Sequence, residues 1–233
     1  MSVNINTVYQ TTLSILNKEQ RGYLTPQQFN LFANQAQLDL FEQYFYDINQ
    51  FGRVSGNSTE YSDMLNILNE KISPFETVSS TLSSFGGGLV LPPDLYRLGT
   101  VIKDGTIECE RLDRKEFLQA AQSPLAAPTD TRPVYMQTPG KIQVHGKNTT
   151  AQLNAGITCN YIKKPATPIW GYNIVFGEAL YNASTSTDFE LNPSEETELV
   201  IKILELAGIA IEDIQLYQIA AGEELKNTQQ EKA

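Results

Sequence analysis

Apolar residues recur at helical spacing in the first part of the chain. Thr25 and Gln28 have the spacing of a capping box, with Pro26 at the first helical position. The pattern predicts a helix over 26–49, with one apolar face formed by Phe29, Phe32, Ala33, Ala36, Leu40 and Tyr44. A second apolar stripe, almost opposite, is formed by Leu31, Leu38, Phe41 and Phe45. A helix with two such stripes is covered on both sides, by another helix of the same chain or by a neighbouring subunit.

Two shorter segments with helical spacing flank this helix. They predict helices over 5–17 and from 62 to 72, and Ser73-Pro74 ends the second one. The sequence therefore predicts an N-terminal helical part over 1–75.

The pattern changes at Phe75, where short apolar runs begin to alternate with turn residues. The Asp104-Gly105 pair between two such runs predicts a β-hairpin. Later strands are predicted over 134–137, 141–145 and 156–162. We expect one mostly antiparallel sheet of about five or six strands, in a β-rich part that extends over 76–186.

Two segments inside this β-rich part differ from strands. Residues 112–121 predict a short helix. The stretch 122–133 is rich in Pro, Ala and Thr, and it predicts an extended, exposed arm.

The chain becomes helical again near its end. Ser194 is the predicted N-cap, followed by three glutamates that favour the positive end of a helix. Apolar residues then occur almost all round the predicted helix, which is typical of a buried helix; they include Val200, Ile203, Leu204, Ala207, Ile211, Ile214, Leu216 and Ile219. The predicted fold class is α+β, with an N-terminal helical layer, an antiparallel β-sheet region and a long C-terminal helix (part 187–233), integrated in one domain.

Charge is distributed unevenly along the chain. The formal net charge is −10, and 187–233 contains 11 acids and 3 bases, a net charge of −8. An acidic segment of this kind repels a phosphate backbone, so the composition argues against sequence-specific DNA binding and is compatible with non-specific contact with passing DNA. The sequence has no apolar run long enough for a membrane span and no secretory signal at its start, which predicts no membrane partner and folding in a cytosol.

Few residues suggest catalysis or cofactor binding. His145 is the only histidine, and it is expected at a strand end facing solvent. Cys109 and Cys159 lack metal-ligand spacing and are predicted to be buried thiols. Gly86-Gly87-Gly88 is followed by no Gly-Lys-Ser/Thr, so it is not a phosphate-binding loop. The sequence predicts no enzyme, no cofactor and no metal site, although alternating oxygen ligands over 188–194 leave a calcium loop open.

The segment from Tyr161 to Tyr172 is the most distinctive one in the chain, and it allows two interpretations. In the first, a strand leaves the sheet and crosses the core, and Trp170 fills that core. In the second, the segment is a protein-binding surface, with Lys163, Lys164, Pro165, Trp170 and Tyr172 as interface candidates. The stripe of Leu31, Leu38, Phe41 and Phe45 is the other interface candidate.

Several short phrases, in the same order along the chain, resemble virion structural proteins of tailed phages. They are Gly22-Tyr23-Leu24-Thr25-Pro26, Phe29-Asn30, Ala33-Asn34, Ala36-Gln37, Leu40-Phe41, Leu91-Pro92-Pro93-Asp94-Leu95-Tyr96-Arg97, Pro133-Val134-Tyr135 and the Tyr161–Tyr172 segment. Over roughly residues 22–220 the chain is most similar to ring proteins of the head-to-tail connector in crAss-like, short-tailed phages.

The resemblance implies a non-enzymatic subunit of a ring stacked beneath the portal at the head-tail junction of the virion. It implies about twelve copies, contacts with the portal and with other neck or tail rings, and a channel through which the genome passes. The alternative is a tail accessory module that binds a receptor or a glycan through its aromatic residues. A third class, a cell-wall hydrolase, lacks any catalytic signature in the sequence.

Overall fold

A computed structural model describes residues 2–18, 24–53, 59–147, 152–153 and 155–210, together with 222 and 226. The protein is α+β. The chain forms two compact units, of which the first comprises Met1–Pro74 and Pro165–Ala233 and the second Phe75–Lys164. The described helices are α1 (Ile5–Lys18), α2 (Pro26–Arg53), α3 (Thr59–Ile72), α4 (Arg114–Gln122) and α5 (Glu196–Ala210).

The described strands are short, apart from two long ones in the second unit. In chain order they are β1 (Glu76–Thr81), β2 (Ser83–Ser84), β3 (Leu89–Val90), β4 (Leu95–Lys103), β5 (Ile107–Glu108), β6 (Glu110–Arg111), β7 (Val134–Thr138), β8 (Lys141–His145), β9 (Ile157–Lys163), β10 (Tyr172–Val175) and β11 (Glu178–Tyr181). Strands β1 to β9 lie in the second unit, and the β10–β11 hairpin lies in the first.

The two units divide the chain differently from the three predicted parts. The prediction assigned 76–186 to a single β-rich part, whereas the structure places 165–186 in the helical unit with the C-terminal helix. The physical reason is that the chain after Lys164 packs against α1 and α2, where Trp170 contacts Tyr9 and Asn30.

The start of α2 confirms the predicted capping box. The backbone N–H of Thr25 donates to Gln28 Oε1 at 3.1 Å, and the backbone N–H of Gln28 donates to Thr25 Oγ1 at 3.3 Å. These two bonds satisfy two amides that the first turn of a helix leaves without partners. The main apolar face of α2 is also confirmed, because its central members are buried: Phe29, Ala33, Ala36, Leu40 and Tyr44.

An ion pair joins the end of α3 to the start of α5 within the first unit. Lys71 Nζ lies 2.8 Å from Glu195 Oε1, and the Glu195 side chain is almost fully buried. The N-cap in this region is Asn192 rather than the predicted Ser194, because Ser194 donates its backbone N–H to Asn192 Oδ1 at 3.1 Å. A 3-10 turn, Pro193–Glu195, then leads into α5. The predicted helix residues Ile211, Ile214, Leu216 and Ile219 lie outside the described residues.

The second unit contains two sheets instead of the single sheet that we expected. One has the order β1-β9-β4-β5 and is antiparallel throughout; the other has the order β2-β3-β8-β7-β6, with β6 parallel to β7. The buried cluster of this unit takes side chains from both sheets, including Leu89, Val101, Ile142, Val144, Ile157 and Cys159. The Asp104-Gly105 hairpin is confirmed between β4 and β5, and both turn residues have positive φ, 52° and 73°.

The predicted arm over 122–133 is exposed in part but is not extended. After α4 the chain closes one turn, in which Ala127 donates its N–H to the Ser123 carbonyl at 3.0 Å. It then forms a tight bridge between Thr129 and Arg132. Within this bridge, the Asp130 carbonyl accepts a hydrogen bond from Lys103 Nζ of β4 at 3.2 Å. Local polar bonds therefore fold this proline-rich stretch against the sheet.

We predict that Glu195→Gln lowers the free energy of unfolding by about 2–4 kcal/mol, because it removes the charge of a buried carboxylate that lies 2.8 Å from the Lys71 ammonium. The measurement is urea denaturation followed by far-UV circular dichroism. Glu196→Gln is the matched control, since it removes a carboxylate from the neighbouring position and loses only the helix-dipole interaction, about 0.3–1 kcal/mol. Equal losses for the two variants would contradict a role for the ion pair.

Candidate interaction surface

The β10–β11 hairpin presents apolar side chains to solvent at its outer end. Its strands pair from Tyr172 opposite Tyr181 to Val175 opposite Glu178. The two-residue turn is Phe176-Gly177, with φ of 52° and 89°. Positive φ at both turn positions gives the twist that a two-residue hairpin requires. It is unfavourable for a bulky residue such as phenylalanine, so Phe176 occupies a strained position at the end of the hairpin.

We call Ile174, Val175, Phe176 and Leu180 the hairpin tip. The Phe176 side chain is fully exposed, and Ile174 is 73% exposed. Single exposed apolar residues are normal on a protein surface, but this hairpin carries four of them, with Ile174 on one face, Val175 and Leu180 on the other and Phe176 at the turn. Such a concentration on one short element is typical of an interaction site. The hairpin tip is therefore the strongest candidate for a protein-binding surface in the first unit.

Trp170 holds the base of the hairpin in the core of the first unit. It is 2% exposed, and its ring centroid lies 5.8 Å from those of both Tyr172 and Tyr181. On the helical side, the Tyr9 ring lies 4.1 Å away. An aromatic group of this size anchors the hairpin by buried area as well as by ring-ring contact.

Hydrogen bonds fix the position of Trp170. Its indole Nε1–H donates to Asn6 Oδ1 at 3.1 Å, and its backbone N–H donates to Asn30 Oδ1 at 2.8 Å. Asn30 Nδ2 in turn donates to the Trp170 carbonyl at 3.3 Å. The next residue, Gly171, approaches another backbone segment closely, since a Cβ there would lie 2.7 Å from the carbonyl carbon of Thr185. The chain is thus tightly positioned just before the hairpin begins.

The Tyr161–Tyr172 segment does not form one surface, because the boundary between the two units falls inside it. Lys163 ends β9 and Lys164 follows it in the second unit, where the Lys164 backbone N–H donates to the Asp94 carbonyl at 2.7 Å. Pro165 and Trp170 are buried in the first unit, and Tyr172 is half-buried at the hairpin base. The interpretation of Trp170 as a core residue is therefore confirmed, and its prediction as an interface residue is wrong.

The predicted second stripe of α2 is also not a single surface. Leu31 is 70% exposed, whereas Phe41 is fully buried. Leu38 and Phe45 are half-buried, and the Phe45 ring packs edge-on against Phe41 at 5.0 Å. Leu31 faces solvent although its neighbours Phe29 and Ala33 are fully buried. Only the part of the stripe near Phe41 is therefore covered.

The sequence analysis missed the hairpin tip. The signal was present, since Phe176-Gly177 separates two runs of β-forming residues, Tyr172–Val175 and Glu178–Tyr181. The turn lacks the preferred Asn-Gly or Asp-Gly pair, so the local sequence does not predict a hairpin there.

His145 lies in the second unit, and its expected exposure is wrong. It is 5% exposed, and its ring centroid lies 4.6 Å from that of Phe117 in α4. The predicted strand end is correct, but α4 covers that face of the sheet. Among the residues that the structure describes, no three His, Cys, Asp or Glu side chains are grouped as metal ligands would be.

The oxygen atoms of the calcium-loop candidate have structural partners. Asp188 Oδ1 accepts the backbone N–H of Ile5 at 2.9 Å, and Glu190 Oε2 accepts that of Ala166 at 3.0 Å. Asn192 caps the following 3-10 turn. The alternation of oxygen ligands over 188–194 therefore serves the backbone of the first unit.

A comparison with protein-family models gives no match, and a comparison with curated proteins gives none either. None of the helices within the described ranges combines the length and apolar character that crossing a membrane requires.

We predict that Trp170→Ala lowers the free energy of unfolding by about 3–5 kcal/mol, because it removes a large buried ring and leaves a cavity between α1, α2 and the hairpin. Chemical denaturation monitored by circular dichroism measures this loss. Phe176→Ala is the matched control, since it removes an aromatic ring that is fully exposed, and it should leave stability unchanged. A stable Trp170→Ala variant would show that the ring does not anchor the hairpin.

A second prediction concerns Cys109 in the second unit. Burial raises the pKa of this thiol from 9.0 to about 11. Between these two values the folded chain keeps a proton that the unfolded chain loses, so stability falls as the pH rises through this window, by at most about 1.4 kcal/mol per pH unit. We expect urea denaturation from pH 8 to 11 to show a steeper fall for the wild type than for Cys109→Ala. Parallel curves would contradict the raised pKa.

Proposed function

We propose that this protein is a non-enzymatic subunit of a head-to-tail connector ring in a short-tailed phage. The observation that carries the proposal is the hairpin tip, an exposed apolar group on a hairpin whose base is held by Trp170. A rigid projection with an apolar end loses little conformational freedom when it binds, which favours assembly. The resemblance of the sequence phrases to connector ring proteins supports the same assignment.

In this proposal the hairpin tip packs against a neighbouring copy in a ring of about twelve. The portal and other neck or tail rings are the further partners, and the site of action is the head-tail junction of the virion. The net charge of −10 supports a channel wall that DNA passes without adhering, because like charges keep the phosphate backbone at a distance.

The test is the native mass of the purified chain over a concentration series, with and without the portal protein. We expect the wild type to form a closed species near twelve copies, alone or on the portal. Replacing two exposed residues of the hairpin tip, Ile174→Ser with Phe176→Ser, should shift the chain toward monomer, because the apolar contact is lost.

Leu125→Ser is the matched control for this experiment. Leu125 is 94% exposed but lies in the second unit, away from the hairpin in sequence. Its replacement should leave assembly unchanged. Wild-type chains that stay monomeric even with the portal, or a hairpin variant that assembles normally, would contradict the proposal.

One alternative has a specific observation in its favour. The exposed Phe176 ring could stack on a sugar, as the aromatic residues of a receptor- or glycan-binding tail module do. A glycan array separates the two functions. A connector ring subunit should bind no glycan, whereas a glycan-binding module should bind one and should lose this binding in Phe176→Ser.

A further inference from the structure

A cleft in the second unit lies between α4 and the face of strands β7 and β8. Its volume is about 340 Å³, within the usual range for ligand sites. The cleft has an apolar part and a cationic part. Leu112, Phe117, Leu118 and Met136 supply the apolar walls, and Arg111 and Arg114 supply two guanidinium groups.

The cleft continues into a second, more open depression. Arg111, Gln137 and Thr138 line both, and the second has a volume of about 680 Å³ and runs along the turns Pro92-Pro93 and Pro139-Gly140. We call the two together the arginine groove. The arginine groove is longer than either depression alone, so it suits an elongated peptide segment better than a compact small molecule.

The two guanidinium groups of the arginine groove outnumber its one lining carboxylate, that of Asp113. The adjacent acids are used by the helix itself, because Asp113 and Glu116 form the capping box of α4, in which the Asp113 N–H donates to Glu116 Oε2 at 3.0 Å. Among the residues that the structure describes, no carboxylate forms an ion pair with Arg111 or Arg114. Two guanidinium groups beside apolar walls favour a ligand that carries both carboxylates and apolar side chains.

We propose that the arginine groove binds the acidic C-terminal segment, residues 211–233, of a neighbouring copy of this chain. That segment contains five acids and two bases, and its acids include the adjacent pairs Glu212-Asp213 and Glu223-Glu224. Apolar residues lie between these pairs, among them Ile214, Leu216, Ile219 and Leu225. The segment therefore matches the groove in both charge and apolar character.

A second copy is the natural source of this segment if the chain is a ring subunit, and the inference rests on that proposed function. A groove on one copy and a segment on the next are different surfaces, so their contact is head-to-tail. Contacts of this type generate closed rings when the rotation between copies closes.

The first experiment uses the full chain and a fluorescein-labelled peptide of residues 211–233, with binding followed by fluorescence anisotropy. We expect saturable binding that weakens with added salt. The double variant Arg111→Ala with Arg114→Ala should weaken it about tenfold or more, because the charged partners of the carboxylates are lost.

Two matched controls test the specificity of this binding. Lys115→Ala removes the same charge from the same helix, but Lys115 is exposed and does not line the cleft, so affinity should stay within about twofold. A peptide with its five acids replaced by the corresponding amides should not bind. Absent binding, equal binding of the amide peptide, or an equal loss with Lys115→Ala would each overturn the inference.

The second experiment identifies which copy supplies the segment. Light chains carrying Arg114→Lys are mixed with heavy-isotope wild-type chains and treated with a carbodiimide, which joins an amine to a carboxylate as an amide and leaves as its urea. We expect mass spectrometry to find residue 114 of light chains joined to acids of 211–233 in heavy chains. Bonds to acids of the same light chain alone, or equal coupling at Lys115, would overturn the assignment to a second copy.

The two proposals can fail separately. Binding of the free peptide does not require a ring, whereas the native-mass measurement does not involve the peptide. A chain that binds the peptide but never assembles would contradict the ring and leave the groove standing. A chain that assembles without binding the peptide would contradict the groove alone.

Discussion

The first unit depends on how it satisfies the polar backbone of a non-helical segment buried among helices. After Lys164 the chain enters this unit without regular secondary structure, and unpaired backbone groups would be costly there. Gln37, a fully buried residue of α2, donates to the Ala166 carbonyl at 2.8 Å and accepts the Glu190 N–H at 3.2 Å. The Glu190 side chain closes this arrangement by accepting the Ala166 N–H. A side-chain amide and a carboxylate thus provide hydrogen bonds that a sheet would otherwise provide.

This constraint explains why α2 carries polar residues within its buried surface. Asn30 and Gln37 are seven positions apart, about two helical turns, so both face the same segment. Asn30 accepts the backbone N–H of Trp170 and donates to its carbonyl. Gln37 bridges two residues of the segment, Ala166 and Glu190. The segment is therefore fixed in register along α2, and Trp170 reaches the core at one defined place. The base of the hairpin is therefore rigid, and its outer end can carry exposed apolar residues.

The sequence predicted the elements that depend on local chemistry. Thr25 and Gln28 predicted the start of α2, and Asp104-Gly105 predicted a hairpin, because capping and turn geometry involve only neighbouring residues. It did not predict that 165–186 joins the helical unit, since that depends on Asn30 and Gln37, more than 120 positions away. The buried state of His145 was missed for a similar reason, because Phe117 of α4 covers it only in the folded unit. The hairpin tip was missed because its turn lacks a favoured residue pair.

The two candidate surfaces differ in chemistry, and this difference bears on assembly. The hairpin tip of the first unit is apolar, whereas the arginine groove of the second unit is cationic. The groove is not complementary to itself, because two groups of guanidiniums repel each other, and this repulsion disfavours a two-fold dimer built on the groove. A contact between unlike surfaces is favoured instead, and such contacts are head-to-tail. Repetition of one head-to-tail contact with a closing rotation gives a ring, which is the architecture that the proposed function requires.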